Sequence, residues 1–285
     1  MTHILIHSFE HAFLDSLKIF PFLFITYLIM EFLEKRAGEK TNLWLEKAGK
    51  KGPVVGGILG IIPQCGMSTV ASNLYAGRII SVGTLLAVYL STSDEMLPIM
   101  ISKSVEPAVI VEVLAVKVVI AIGAGLLVDF VYHVLKKDAH AEMKIHDFCE
   151  HEHCHCEDGI VKSAVRHTLQ IFLFVLLFTI ILNIGIEIIG EEQLADFILN
   201  KPVLGPVLSG IIGLIPNCAS SVIITQMFLD GLMSFGTMLA GLLVGAGVGI
   251  LVLLRVNENK AESIKIIGIL YLIGSLCGIL FNILS

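Results

Sequence analysis

The chain has 285 residues, 55% of them apolar and only 15% charged, with a formal net charge of −6. That balance excludes an ordinary soluble domain. Net charge says little more, because in a membrane chain the placement of Lys and Arg matters rather than their sum. Apolar stretches recur near 12–33, 53–77, 81–101, 107–133, 168–190, 203–229, 232–254 and 264–284. Each can supply the ~20 residues that cross a ~30 Å hydrocarbon core as helix. They are apolar all round, without the polar stripe of a soluble bundle.

The first stretch has no basic leader and no small-residue cleavage site, so it is expected to stay as a span. It carries Glu31 near its end, and Lys35, Arg36, Lys40, Lys47, Lys50 and Lys51 follow. The next segment opens on a phrase the chain uses twice. Gly52-Pro53-Val54 through Ile62-Pro63-Gln64-Cys65-Gly66-Met67-Ser68 returns 153 residues later as Gly205-Pro206-Val207 through Ile215-Pro216-Asn217-Cys218-Ala219-Ser220-Ser221. Aligned without a gap, 52–87 and 205–240 share 15 identities in 36 positions. Pro63 and Pro216 break their helices. The eleven residues 52–62 would span only ~16 Å as helix, too little to cross. Two matching segments broken at a polar tip mark a binding site in many transporters. Each tip offers an amide (Gln64, Asn217), a thiol (Cys65, Cys218) and a hydroxyl (Ser68, Ser221). The bland alternative is that Ser and Cys only pack at a small-residue helix interface.

Ser91-Thr92-Ser93-Asp94-Glu95 closes the third apolar stretch. Two carboxylates at the edge of hydrocarbon suggest an ion or proton site, or else a solvated helix end near Lys103. Adjacent helical positions point ~100° apart, so Asp94 and Glu95 serve one centre only if the helix unwinds. The matching stretch, Val244-Gly245-Ala246-Gly247-Val248, is uncharged, so the halves have specialised. Lys117 lies ~16 Å into the next helix counted from Glu106. It needs a partner, with Asp94, Glu95 and Glu112 as candidates, and such a pair is either structural or a proton-coupling switch. Lys117, Glu112 and Glu31 are the coupling candidates.

The 134–166 loop holds five His and three Cys, concentrated in His146, Cys149, His151, His153, Cys154, His155 and Cys156. Without a fixed C-x-x-C framework, the tract reads as a flexible collector of soft or borderline cations, or as a biased solvated linker. Beyond it, Thr168-Leu169-Gln170-Ile171-Phe172 aligns with Ser16-Leu17-Lys18-Ile19-Phe20, which extends the duplication to whole halves.

Topology follows from the charges. Lys and Arg cluster at 34–51, 134–166 and 255–263, whereas 191–204 carries Lys201 against Glu191, Glu192 and Asp196. Positive-inside puts the first three in the cytoplasm and the last outside. All four agree only if 52–77 and 205–230 dip in and return. The competing arrangement is a parallel repeat with two kinked full spans.

The paired Ile-Pro-Gln-Cys-x-x-Ser and Ile-Pro-Asn-Cys-x-x-Ser tips resemble those of the ten-transmembrane-segment heavy-metal exporter family, labelled arsenic efflux proteins or manganese transporters. The resemblance covers nearly the whole chain, with the His-rich centre as its variable part. More distantly similar are the organoarsenical permeases, whose broken helix carries a Pro-x-Cys-x-Cys-Ser tip. One Cys per tip departs from that pair and favours a mixed S/O/N site over three thiolates.

The expectation is therefore an all-α integral membrane protein of two inverted repeats, each with three full spans and a Pro-broken re-entrant hairpin. The repeats are 1–133 and 167–285, joined by the cytoplasmic 134–166 linker, in the inner membrane. It would be a secondary transporter exporting a heavy-metal cation or metalloid, and not an enzyme, since no G-x-S-x-G, HExxH or Walker motif occurs. Gln64, Cys65, Ser68, Asn217, Cys218 and Ser221 would bind substrate, with Asp94 and Glu95 taking the cation or coupling proton. No tightly bound cofactor is expected beyond a transported or loop-bound metal ion. Partners are the bilayer, the metal or metalloid and a second copy of the chain, with no nucleic acid. The rival readings are a permease for a small anion and a non-transporting metal sensor.

Overall fold

The computed structural model describes residues 51–62, 65–93, 95–135 and 203–284, together with positions 17, 20, 21, 24, 25, 28, 161, 165, 166, 168, 169, 172–174, 176, 177, 180 and 181. The described residues are helical, in ten bounded elements. The first five are α1 (Gly52–Leu59), α2 (Cys65–Ala76), α3 (Val82–Ser91), α4 (Met96–Ser102) and α5 (Pro107–Leu135). The second five are α6 (Leu204–Gly213), α7 (Cys218–Leu229), α8 (Phe235–Val244), α9 (Gly249–Val256) and α10 (Lys260–Leu284). Helices α2, α3, α4 and α5 each begin 153 residues before α7, α8, α9 and α10.

Local chemistry explains the boundaries. Pro53 stands in the first turn of α1, where a missing N–H costs nothing. Ser81 and Ser234 cap α3 and α8 by accepting from the Thr84 and Thr237 N–H groups. Far down α5, Asp129 holds the same end of α3: its Oδ2 accepts from Ser81 Oγ at 2.6 Å and its Oδ1 from Gly83 N–H at 2.8 Å. Asn282 of α10 repeats this for α8, accepting from Ser234 Oγ at 2.8 Å.

The third apolar stretch of each half is two helices, interrupted at Thr92–Glu95 and Gly245–Val248. In the first half, Ser91 Oγ donates to the Ala87 carbonyl at 2.8 Å and Thr92 Oγ1 to the Val88 carbonyl at 2.7 Å. Such hydroxyls compete with the helix for its own carbonyls. In the second half Gly245 and Gly247 supply the weakness, Gly247 at φ +53°.

Among the described residues, three stretches are long and apolar enough to cross a membrane: Pro107–Val134, Phe235–Val256 and Lys260–Leu284. Their burial sorts them: 89% for the second against 22% and 28% for the others. The broken α8–α9 path therefore runs through the centre, with α5 and α10 on the periphery. Beyond Glu112 in α5 and beyond Lys265 in α10 the outward residues are mainly apolar, Val119 (72% exposed) and Leu276 (62%) among them, which suits a lipid-facing surface. Arms α1 and α6, of 8 and 10 residues, are ~12 and ~15 Å long and cannot cross.

Packing repeats between the halves. α1 and α5 flank α3 as α6 and α10 flank α8. The return arms cross over: α2 packs on α9 and α7 on α4. Phe20 and Phe172, the aligned residues of the two first spans, meet edge-to-face at 5.6 Å.

Candidate functional site

The helix interruptions are brought together. Ser93 Oγ, in the first broken span, donates to the Ile61 carbonyl of the first hairpin tip at 2.7 Å. Gly213, at the second tip, lies so close to α8 that a Cβ there would sit 2.3 Å from the Gly241 carbonyl. Lys117 joins the two broken spans. Fully buried on α5, its ammonium donates to the Thr92 carbonyl and, at 2.9 Å, to that of Leu242. These carbonyls lie at the C-terminal ends of α3 and α8, where backbone acceptors lack intrahelical partners and the dipole favours a cation. Sequence depth alone identifies Lys117 as central, but its carbonyl partners are not legible there. The matching position in the second half is Leu270, also fully buried.

The return arms start at this centre. Ser68, fully buried in α2, lies against Gly249, the first residue of α9. One turn on, Ser72 Oγ is 2.7 Å from the Ser68 carbonyl, 2.8 Å from the Gly249 carbonyl and 2.6 Å from the Tyr89 hydroxyl. Tyr89 OH reaches the Gly249 carbonyl at 3.1 Å. This fully buried knot ties α2, α3 and α9 together, and sequence reasoning missed it.

In the second half, Asn217 caps α7: its Oδ1 accepts from Ala219 N–H at 3.3 Å, and Ser220 Oγ donates to its carbonyl at 2.8 Å. Asn217 is buried and Ser221 half-buried, one turn into the helix. Pro216 directly precedes the cap, as a helix-breaking residue should. Cys65 and Cys218 open α2 and α7, so both thiol positions stand at helix N-termini, while their side chains lie outside the described residues. Glu95 is half-buried at the N-cap of α4. The helix therefore unwinds where two adjacent carboxylates would require it to. Glu112 is on the exposed side of α5, unlike buried Lys117. Pro63, Gln64, Asp94, Glu31 and the tract of His146, Cys149, His151, His153, Cys154, His155 and Cys156 lie outside the described residues.

At one end of the α2–α9 pair, Arg78 grips Glu262 through two bonds, Nη2–Oε2 at 2.7 Å and Nη1–Oε1 at 3.2 Å. The hydrogen bond to that carboxylate raises the guanidinium pKa further above its ordinary value. Arg78 pays a backbone cost for the reach: its φ is +57°, and the matching residue is Gly231 at +74°. A non-glycine residue in that region costs about 1–2 kcal/mol, which the bidentate pair and the Tyr75 ring beneath the guanidinium (5.2 Å) offset. A cavity of about 240 Å³ between α1, α2 and α3 is lined by Val55, Leu59, Leu74 and Ile80 with only Ser81 and Thr84 as polar lining residues, so it does not suit an ion.

A family model described as "Putative, 10TM heavy-metal exporter" matches residues 1–188 and 155–285. No curated protein and no solved structure matches the chain.

Proposed function

This chain belongs to the 10TM heavy-metal exporter family and is an integral, multi-pass membrane protein, and from that premise we infer that it is a secondary-active exporter of a heavy-metal cation or metalloid. The observation that carries the reading is the gathering of helix breaks from both halves around Lys117. Broken helices leave backbone carbonyls and N–H groups without intrahelical partners, and in a membrane such backbone is tolerated where it is buried or lines a path. Cys65, Cys218, Ser68, Ser221, Gln64 and Asn217 form the substrate site in this reading. Asp94 and Glu95, at the unwound segment, carry the hard ligand or coupling proton. The chain works without catalysis and uses an ion gradient.

The test is metal content and sensitivity of cells with and without the protein, across Mn, Zn, Co, Ni, Cd, Cu and arsenite. Cys65→Ser and Cys218→Ser are each expected to lower export roughly ten- to hundred-fold, the scale of losing a metal-site partner. Two variants that protect cells as well as the parent would remove the thiols from the site.

The inverted arrangement of the halves is part of the same inference, and the Arg78–Glu262 pair supports it. If 52–77 crossed the membrane completely, Arg78 would stand on the face opposite Glu262. If it dips and returns, both stand in the cytoplasm. Single cysteines at 78, 150 and 262 are then expected to resist a membrane-impermeant reagent applied outside, whereas one at 197 reacts. Labelling of 78 but not 262 from outside would restore the parallel repeat.

A small-anion permease is the second reading, favoured by Lys117 and by helix N-termini at the same centre. It predicts that Asp94→Asn leaves substrate binding intact, whereas the cation reading predicts its loss.

A further inference from the structure

We propose that the second hairpin, α6 and α7, is the moving gate of the transporter, and that the first, α1 and α2, belongs to the fixed frame. This rests on the exporter reading and names the element that opens its site. The two return arms are held very differently. On α2, Ser72 bonds to the Tyr89 hydroxyl and to the Gly249 carbonyl, which ties the arm to α3 and α9. The matching residues in the other half are Thr225, Leu242 and Met96. Leu242 has no hydroxyl to offer, and Thr225 Oγ1 is without a partner among the described residues. Helix α2 also packs extensively on α9, whereas α7 meets α4 over a smaller surface.

The far ends of the arms differ in the same sense. Arg78, on the turn after α2, is held by two bonds to Glu262 of α10. The matching residues are Gly231 and Val109, which cannot form such a pair. The turn after α7, at 230–232, is exposed, and its Asp230 accepts from Gln226 of the same helix at 3.1 Å. A return arm with neither knot nor ion pair opens more readily, and the moving parts of proteins are drawn from such weakly held segments.

Unpaired hydroxyls point the same way. Among the described residues, the buried hydroxyls without a hydrogen-bond partner are Ser209, Thr225 and Ser275, all in the second half. Two of them border α6: a Cβ on Gly241 of α8 would lie 2.3 Å from Ser209 Oγ, and one on Gly210 of α6 would lie 2.8 Å from Ser275 Oγ. Their counterparts in the first half are Gly56 and Ile122, which bury no hydroxyl. An unpaired buried hydroxyl disfavours the packed state relative to one in which water reaches it. The three therefore bias α6 and α7 towards opening, and α1 and α2 carry no such bias. Tyr271 of α10 does hold α6, donating to the Val207 carbonyl at 3.1 Å, but in the first turn of the arm, so the arm can pivot there. Opening would displace the tip that carries Asn217, Cys218 and Ser221, one half of the substrate site in the exporter reading.

The experiment measures amide hydrogen exchange of the full-length protein in detergent, for the parent and for S209A/T225V/S275A, which removes the three hydroxyls. In the parent, amides of α7 are expected to exchange at least about tenfold faster than those of α2. In the triple variant α7 should slow at least about tenfold, with α2 within about twofold of the parent, and metal transport in proteoliposomes should fall in step. Should the triple variant fold poorly, T225V alone is expected to slow α7 about threefold. Exchange of α2 as fast as that of α7 in the parent overturns the proposal. So does a variant that melts higher than the parent while its α7 exchange and its transport stay unchanged, since the hydroxyls would then affect packing alone. Proteoliposomes separate the two levels. A parent whose α7 opens ahead of α2 but which moves no metal would end the exporter reading and leave the mobile arm. A parent that moves metal while α2 opens as readily as α7 would end the mobile arm and leave the exporter.

Discussion

Lys117→Leu is expected to destabilise the protein by about 3–5 kcal/mol and to abolish export. The position tolerates leucine in shape, as Leu270 in the other half demonstrates. What fails is the polar balance. The ammonium serves the carbonyls of Thr92 and Leu242, each at the end of a broken helix. Removing one partner of a buried hydrogen bond leaves the other unsatisfied at about 1–3 kcal/mol. Thermal unfolding in detergent should show a drop of roughly 10 °C. Glu112→Gln, on the exposed side of the same helix, should stay within about 0.5 kcal/mol of the parent. A Lys117→Leu protein that keeps both its melting temperature and its export would mean the breaks are held from elsewhere.

Gly249→Val is expected to disrupt the opposite wall of the centre. A Cβ at Gly249 would lie 2.7 Å from Ser68 Cβ and 2.9 Å from the Ser68 backbone carbon. Part of that obstacle is helix backbone, which cannot rotate away, so α2 and α9 must separate. Overpacking of this kind costs about 1–3 kcal/mol, and valine adds two methyls to the clash. The separation would also displace Ser68 and strain the knot of Ser72, Tyr89 and the Gly249 carbonyl. Gly268→Ala is the control: nothing lies within 4 Å of its Cβ position, and alanine in mid-helix should stabilise by about 0.5–1 kcal/mol. Melting temperature and metal export, measured on both, separate a packing effect from a general intolerance of glycine loss. Equal behaviour of the two variants would contradict the close approach.

Much of the centre was legible in the sequence because its signals are local. A Pro-amide-Cys tip, an apolar arm too short to cross and a lysine deep in an apolar run are each readable within one turn or one segment. The break at Thr92–Glu95 was half-legible: the hydroxyls were visible, but their turning back onto Ala87 and Val88 is a matter of geometry. Its partner at Gly245-Ala246-Gly247 carries no charge, and the two glycines are the sequence signal of its break. The Arg78–Glu262 pair spans 184 residues, and no periodicity announces it. The exchange of Tyr89 for Leu242 and of Gly249 for Met96 could have been found by setting the copies side by side beyond residue 87, where identity fades but correspondence persists.

The exchange of return arms between the halves bears on how the chain is made. Helix α2 completes its packing on α9, and α4 on α7. The first half therefore leaves the ribosome with the polar seam of Ser68 and Ser72 uncovered, and it stays so until α9 is synthesised. Closing contacts of such sequence separation is slow, and the waiting surface is open to wrong partners. Insertion of α9 and α10 is then the step that joins the two halves into one packed unit.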